Sequence, residues 1–124
     1  IWEAAMYAPA KNVDNIVAIV DYNKKQIDGP TDDVLSLGDL RAKYESFGWK
    51  VWECNGNDMQ ELVDTFNKIR ENAHKGQSQI LLAHTEMGMG VDFMMGTHKW
   101  HGVAPNDEQA ANALSQLKET LGDY

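Results

Sequence analysis

The apolar run Ile16–Val20, IVAIV, leads straight into Asp21, Tyr22 and Asn23, and it constrains the fold more than any other stretch of the chain. A strand buried on both faces reads as such a continuous run, whereas a half-exposed strand alternates apolar and polar residues. The run therefore predicts a central strand. In open α/β sheets ligands sit outside the carboxyl ends of the strands, so the polar cluster at 21–23 falls where a site is expected. Chemistry should begin at Asn23.

A chain of 124 residues with 43% hydrophobic content suits one compact domain with a real core. Its formal charge of -8, from 19 acidic against 11 basic residues without long blocks, argues against nucleic acid or an anionic membrane surface as partner. An anionic ligand must then be held locally, by a metal ion, a helix N-terminus or a few cationic groups. The single Cys54 cannot form an internal disulfide, and no apolar run approaches the roughly 20 residues of a membrane span. A reducing, cytoplasmic compartment fits. The first residues, IWEAAMYA, have helical composition without a visible cap, which reads as a cut inside a helix. A site shared with whatever precedes Ile1 would be incomplete.

Taken in order, Ile1–Ala8 reads as the end of a helix closed by Pro9, and Lys11–Asn15 connects it to the central strand. KKQIDGPTDD is a loop in which Gly29 can take positive φ. Ser36 with Asp39 resembles a capping box opening a helix with Leu37, Leu40, Tyr44 and Phe47 on one face, ended by Gly48. WKVWEC, Trp49–Cys54, reads as a strand nearer the sheet edge. Asp58 with Glu61 caps a further helix carrying Leu62, Val63, Phe66, Ile69 and Ala73, which His74, Lys75 and Gly76 end. Ile80–Ala83 is another buried strand. The last helix starts at Asn106, with Gln109 completing its cap, and turns Ala110, Ala113, Leu114, Leu117 and Leu121 inward. Strands alternating with helices predict an α/β domain with a largely parallel sheet.

Between Glu86 and Ala104 the stretch EMGMGVDFMMGTHKWHGVA shows neither helical nor strand periodicity. Its methionines, Val91, Phe93 and Trp100 are too apolar for a solvated linker, so it should pack against a partner or a ligand. Within it, His98 and His101 flank Lys99 and Trp100, an apolar surround for groups able to contact a phosphate, although surface histidines read the same way. Asn23 offers an amide oxygen suited to Mg²⁺, and equally a turn former or helix cap. Asp21 reads as a second ligand or as a strand end bonded to nearby backbone donors. A zinc site is disfavoured by the distant single Cys54. His84 reads as a satisfied core residue, and His74 as a favourable charge at a helix C-terminus. The glycines from Gly88 to Gly90 do not match a P-loop or a dinucleotide fingerprint. Glu3, by itself, reads as part of a solvated helix face.

Taken together, IWEAAMYA, then IVAIVDYNKKQIDGPT, then HTEMGMGVDFM followed by KWHGVAPND resemble the thiamine-diphosphate-binding domain of transketolase. The likeness is greatest to the form of that enzyme split into separate N-terminal and C-terminal subunits. The likeness covers nearly the whole chain in the right order, and the joint occurrence of DYNKKQIDGPT and KWHG is more specific than either alone. The resemblance implies a three-layer α/β/α thiamine-diphosphate-binding fold with a mostly parallel sheet, here an incomplete domain occupying 1–124.

It further implies that the Asn23 side chain and the Lys25 carbonyl bind the Mg²⁺ that bridges the cofactor diphosphate, although the family has an apolar residue at the position of Lys25. Ile27 would pack against the cofactor rings. His101 would reach the diphosphate near the reacting centre, as a catalytic and cofactor-binding residue. Glu3 matches an acidic residue in carboxylate contacts at the subunit interface. The GDG stretch that opens the family's cofactor motif, and the histidines that handle the sugar, would lie before Ile1. The glutamate that activates the aminopyrimidine comes from a separate pyrimidine-binding domain or subunit. The implied enzyme transfers a two-carbon ketol unit from a ketose phosphate to an aldose phosphate in carbohydrate metabolism, the pentose phosphate pathway, and the isolated chain would be inactive. Deoxyxylulose-phosphate synthase, the 2-oxo acid dehydrogenase components and a non-catalytic interaction module are the alternatives. A domain lacking its first strands would expose a sheet edge, so self-association into a homo-oligomer is expected.

Overall fold

The computed structural model describes residues 1–118. The elements follow in the order α1 (Trp2–Ala10), β1 (Val17–Asp21), β2 (Lys25–Gln26), β3 (Gly29–Pro30), α2 (Thr31–Val34), α3 (Leu40–Ser46), β4 (Lys50–Asn55), α4 (Met59–Glu71), β5 (Gln79–His84) and α5 (Asp107–Gln116). The main sheet has the order β1-β5-β4 with both pairings parallel, Val17 and Lys50 each lying opposite Gln79. An antiparallel pair, β2 with β3, stands apart from it.

Helices cover both faces of the sheet. Ile80 and Leu82 of β5 point to one side, where they meet Ala5 and Ala8 of α1, Leu40 and Tyr44 of α3, and Trp49 and Val51. Leu81 and Ala83 point to the other side, against Ile69 of α4 and Cys54. This is the three-layer α/β/α arrangement with a mostly parallel sheet.

The central position predicted for Ile16–Val20 belongs instead to β5, which is buried along its length up to His84. β1 is an edge strand among the described residues, with Val17 39% and Ile19 58% exposed. Ala18, Val20 and Tyr22 pack into the α1/α3 core, so Val17 and Ile19 face the opposite side of the sheet. There α4 sits on β4 and β5, leaving a groove of about 270 Å³ between Phe66, Ile69 and Ala73 and Ile16 and Val17 at the start of β1. The continuous apolar run thus marks two strand faces of which only one is covered here.

Local signals explain most boundaries. α1 runs to Ala10 rather than stopping before Pro9. Pro9 has no N–H for the carbonyl of Ala5, and the Trp49 indole Nε1–H donates to that carbonyl at 2.7 Å, tying α1 to the start of β4. α3 is capped by Asp39, which accepts the Ala42 N–H at 2.8 Å, not by Ser36. Gly38 at φ +56° breaks the path from Ser36, whose hydroxyl donates to Asp32 instead. Asp58 caps α4 as predicted, accepting the Glu61 N–H at 3.0 Å, while the Glu61 carboxylate accepts the Asn55 N–H at 2.8 Å. The Asn106–Gln109 capping box of α5 is present in both directions.

α5 does not face the sheet. It lies against the 86–104 segment, where the Gln116 amide exchanges hydrogen bonds of 2.8 Å with the Asp92 backbone and carboxylate. Ala113 is buried, but Leu114 is 71% exposed and Leu117 is also exposed, so the inward stripe predicted for this helix is narrower than expected. Leu121 lies outside the described residues.

Candidate functional site

Two chain segments converge at the carboxyl ends of β1 and β5. After Asp21 the chain turns sharply: the Asn23 side-chain oxygen accepts the Lys25 N–H at 2.9 Å, and Lys24 between them is held at φ +58°. The Lys24 carbonyl accepts the Thr31 N–H at 3.0 Å, closing the β2/β3 hairpin. Antiparallel pairing alternates, so a bonded 24/31 pair turns the N–H and carbonyl of Lys25 away from Pro30, toward the side of the Asn23 amide. The turn-forming role of Asn23 is therefore real, and it leaves one amide lone pair and the Lys25 carbonyl on the same side.

A cleft of about 470 Å³ opens here. Its walls are Asp21 and Asn23 after β1, Asn57 from the turn after β4, Thr85, Glu86 and Met87 after β5, and Trp100, His101 and Gly102. Asp21 accepts a hydrogen bond from the Thr85 hydroxyl, so its partner is a side chain across the cleft floor and not the backbone donors expected from sequence. An adjoining cavity of about 380 Å³ holds Tyr22, Lys24, Lys25, Asn55 and His84.

The 86–104 segment is folded, not extended. Val91 is buried, and successive turns link Met89 to Glu86, Val91 to Gly88, and Met94 to Val91. The Trp100 indole donates to the Phe93 carbonyl at 2.9 Å, and the two rings meet edge to face at 5.3 Å. The His101 N–H donates to the His98 carbonyl at 3.1 Å, which turns His101 to the cleft while His98 stays outside it.

Asn23 and His101 thus share one cleft. Lys25 contributes to the same turn, its ammonium 3.0 Å from Glu86 Oε1. Ile27, at the hairpin tip, is exposed and lines neither cavity. Glu3 stands on the exposed side of α1, its carboxylate 3.7 Å from the Ile1 amino group. His84 is partnered, but not by the core: its Nε2 lies 2.6 Å from Glu53 Oε2, and its ring lies tilted against Tyr22 at 5.2 Å. His74 sits at φ +59°, 3.7 Å from Asp14. Sequence reasoning missed Asn57, Thr85 and Glu86, whose only signal is that each is a polar residue just past a strand.

The Asp21 and Glu86 side chains line the cleft, and the Gly96 N–H followed by the Lys25 ammonium holds the Glu86 carboxyl below the usual glutamate range. Among the described residues no three His, Cys, Asp or Glu side chains come together to hold a metal. A cation here needs amide, backbone and ligand oxygens, the donor set that suits Mg²⁺ with a phosphate. The Asn23 amide and Lys25 carbonyl fit that requirement.

The sequence profile described as "Transketolase, thiamine diphosphate binding domain" matches residues 1–122. The chain is 40% identical over 121 residues to one subunit of the apulose-4-phosphate transketolase of Phocaeicola vulgatus, covering 98% of this chain and 42% of that protein. It is 33% identical over 119 residues to "6-deoxy-6-sulfo-D-fructose transketolase subunit SqwG" of Clostridium sp., covering 96% of this chain and 42% of that one. The fold superposes on the crystal structure of transketolase from Campylobacter jejuni with a TM-score of 0.83 at 24% identity, covering 93% of this chain and 18% of the other. The chain therefore spans less than half the length of each of these relatives. By its matched profile and its fold, this chain belongs to the transketolase family, within the thiamine-diphosphate-binding domain.

Proposed function

We propose that this chain is the carboxyl-terminal part of the thiamine-diphosphate-binding domain of a transketolase built from two kinds of subunit, and that the cleft between Asn23 and His101 takes the Mg²⁺–diphosphate end of the cofactor. The observation that carries this reading is the convergence of Asn23 and His101, far apart in sequence, on one cleft at the strand ends. The Asn23 amide oxygen and the Lys25 carbonyl would hold Mg²⁺. His101 would donate to a diphosphate oxygen, offsetting charge that a chain of net charge -8 otherwise repels.

Trp100 and Met87 supply an apolar wall that excludes water beside that contact. When bound, the cofactor supplies the electron sink for moving a two-carbon ketol unit between sugar phosphates. Ile27 is exposed at the hairpin tip and would pack on the cofactor rings. Glu3, exposed on α1, would meet a carboxylate across a subunit interface. Relatives whose names mark them as single subunits of a transketolase support a separate partner bearing the pyrimidine-binding domain. Among the described residues no helix is long and apolar enough to cross a membrane. The sugar is open to choice among relatives that are named for apulose 4-phosphate and for 6-deoxy-6-sulfo-D-fructose.

Calorimetric titration of thiamine diphosphate with Mg²⁺ tests the reading. The 124-residue chain should bind weakly or not at all, whereas a version extended upstream through a GDG motif should bind, and Asn23→Ala in that version should abolish binding. Failure of the extended version to bind, with and without the partner subunit, would overturn the assignment.

A further inference from the structure

The charged side chain of Lys25, at a position where the family resemblance implies an apolar one, has a specific destination. Its ammonium reaches Glu86 Oε1 at 3.0 Å and its side chain is only 14% exposed, whereas Lys24 beside it is exposed and lies over the Tyr22 ring. Glu86 Oε1 also accepts the Gly96 N–H at 2.8 Å, and the Glu86 N–H donates to Asn57 Oδ1 at 2.6 Å. One residue thereby joins three pieces: the Asn23 turn through Lys25, the turn after β4 through Asn57, and the middle of the 86–104 segment through Gly96. From Gly96 the chain runs directly to Trp100 and His101 in the cleft wall.

We propose that Lys25 and Glu86 form a clasp that sets the separation of Asn23 from His101, making both side chains positioning residues for the cofactor cleft. The inference rests on the reading of that cleft given above. An exposed ion pair would be worth little, since water screens it and both side chains lose freedom. This pair differs in two ways. The lysine is nearly enclosed, and the carboxylate oxygen it meets is already fixed by a backbone donor, so the pair adds a charge-assisted bond at small further loss of freedom.

The two members are not equivalent. Removing the lysine leaves Glu86 with the Gly96 N–H and 36% exposure to water. Removing the carboxylate charge leaves a largely buried lysine side chain without its counter-charge, the costlier omission. Glu86→Gln should therefore disturb the Asn23 turn more than Lys25→Met does.

Two measurements test the clasp. In the chain alone, native-state hydrogen exchange of backbone amides 23–27 and 86–101 should speed by about tenfold in Lys25→Met, and by more in Glu86→Gln, roughly the factor for one charge-assisted hydrogen bond. The double variant Lys25→Met with Glu86→Gln should exchange no faster than Glu86→Gln alone, because it keeps an acceptor for the Gly96 N–H and leaves no lysine without its counter-charge. In the full-length protein carrying this sequence, Mg²⁺-dependent thiamine diphosphate affinity should weaken in the same order, the double variant binding no more weakly than Glu86→Gln, with the sugar KM unchanged at saturating cofactor. Should a single variant not fold, Lys25→Arg keeps the charge opposite Glu86 and should hold both readouts within about threefold of the parent. Single variants that exchange and bind like the parent, or a double variant whose losses are the sum of the two single ones, would overturn the clasp. A parent protein that binds no cofactor would overturn the cleft assignment instead, while the exchange data would still decide the clasp.

Discussion

Gly88 and Gly76 separate two costs that glycine usually hides together. Both have positive φ, +71° and +80°, but a Cβ at Gly76 meets nothing within 4 Å. A Cβ built on Gly88 overlaps the Cβ of Met94 and comes 3.0 Å from the Met94 carbonyl carbon, backbone that cannot swing aside as a side-chain tip can. Alanine in the left-handed region costs roughly 1–2 kcal/mol at either site. Overpacking adds roughly 1–3 kcal/mol at Gly88 alone. The reduced freedom of the unfolded chain with alanine acts equally on both variants and cancels in the comparison. Urea unfolding of the two variants should therefore place Gly88→Ala about 1–3 kcal/mol below Gly76→Ala, with unchanged m-values. Because a loop can open by itself, exchange of the Val91 and Met94 amides, bonded to the Gly88 and Val91 carbonyls, should be read alongside. Equal stabilities within about 0.5 kcal/mol, together with equal exchange, would refute the packing of the 86–104 segment around Met94.

Leu81→Ala, in the fully buried middle of β5, should cost about 2–5 kcal/mol in the same unfolding assay, because sheet and helix close around it from three directions. Hydrogen bonds first from His84 and then from Arg41 lower the Glu53 carboxyl from its ordinary 4.5. A depressed carboxyl stabilises the fold above its unfolded value and ceases to do so as pH falls through its folded value, so the urea midpoint should drop on acidification below about 4.5 and Glu53→Gln should flatten that drop. Ile19→Lys, on the open side of the edge strand, should suppress self-association in sedimentation at high concentration, and a parent chain that is already a clean monomer there would contradict the exposed-edge expectation.

Much of this architecture was legible because the signals were local. Asp58 and Asn106 announce their helices by side-chain chemistry within one turn, and both caps are formed. That β5, and not Ile16–Val20, has strand partners on both sides was not legible, because both are continuous apolar runs and the order β1-β5-β4 depends on pairings distant in sequence. Ser36 misled for a smaller reason: an S-x-x-D pattern was overridden by the backbone of Gly38. In the cleft, Asn23 and His101 could be singled out from DYN and KWHG. Glu86 could not, since its importance comes from Lys25 and Gly96, partners that no spacing rule connects to it.

The strand order also dictates when the cleft can exist during folding. β4, α4 and β5 follow one another, so their parallel unit forms across a short crossover, whereas pairing β1 with β5 must close a loop of about 60 residues at greater entropic cost. The β1 docking step should therefore come late and reverse first. Asn23 hangs from the end of β1 and Glu86 from the end of β5, so a ligand that bridges them would bind only the completed sheet. Such a ligand would slow the first step of unfolding and leave the β4–α4–β5 unit, which it does not need, untouched.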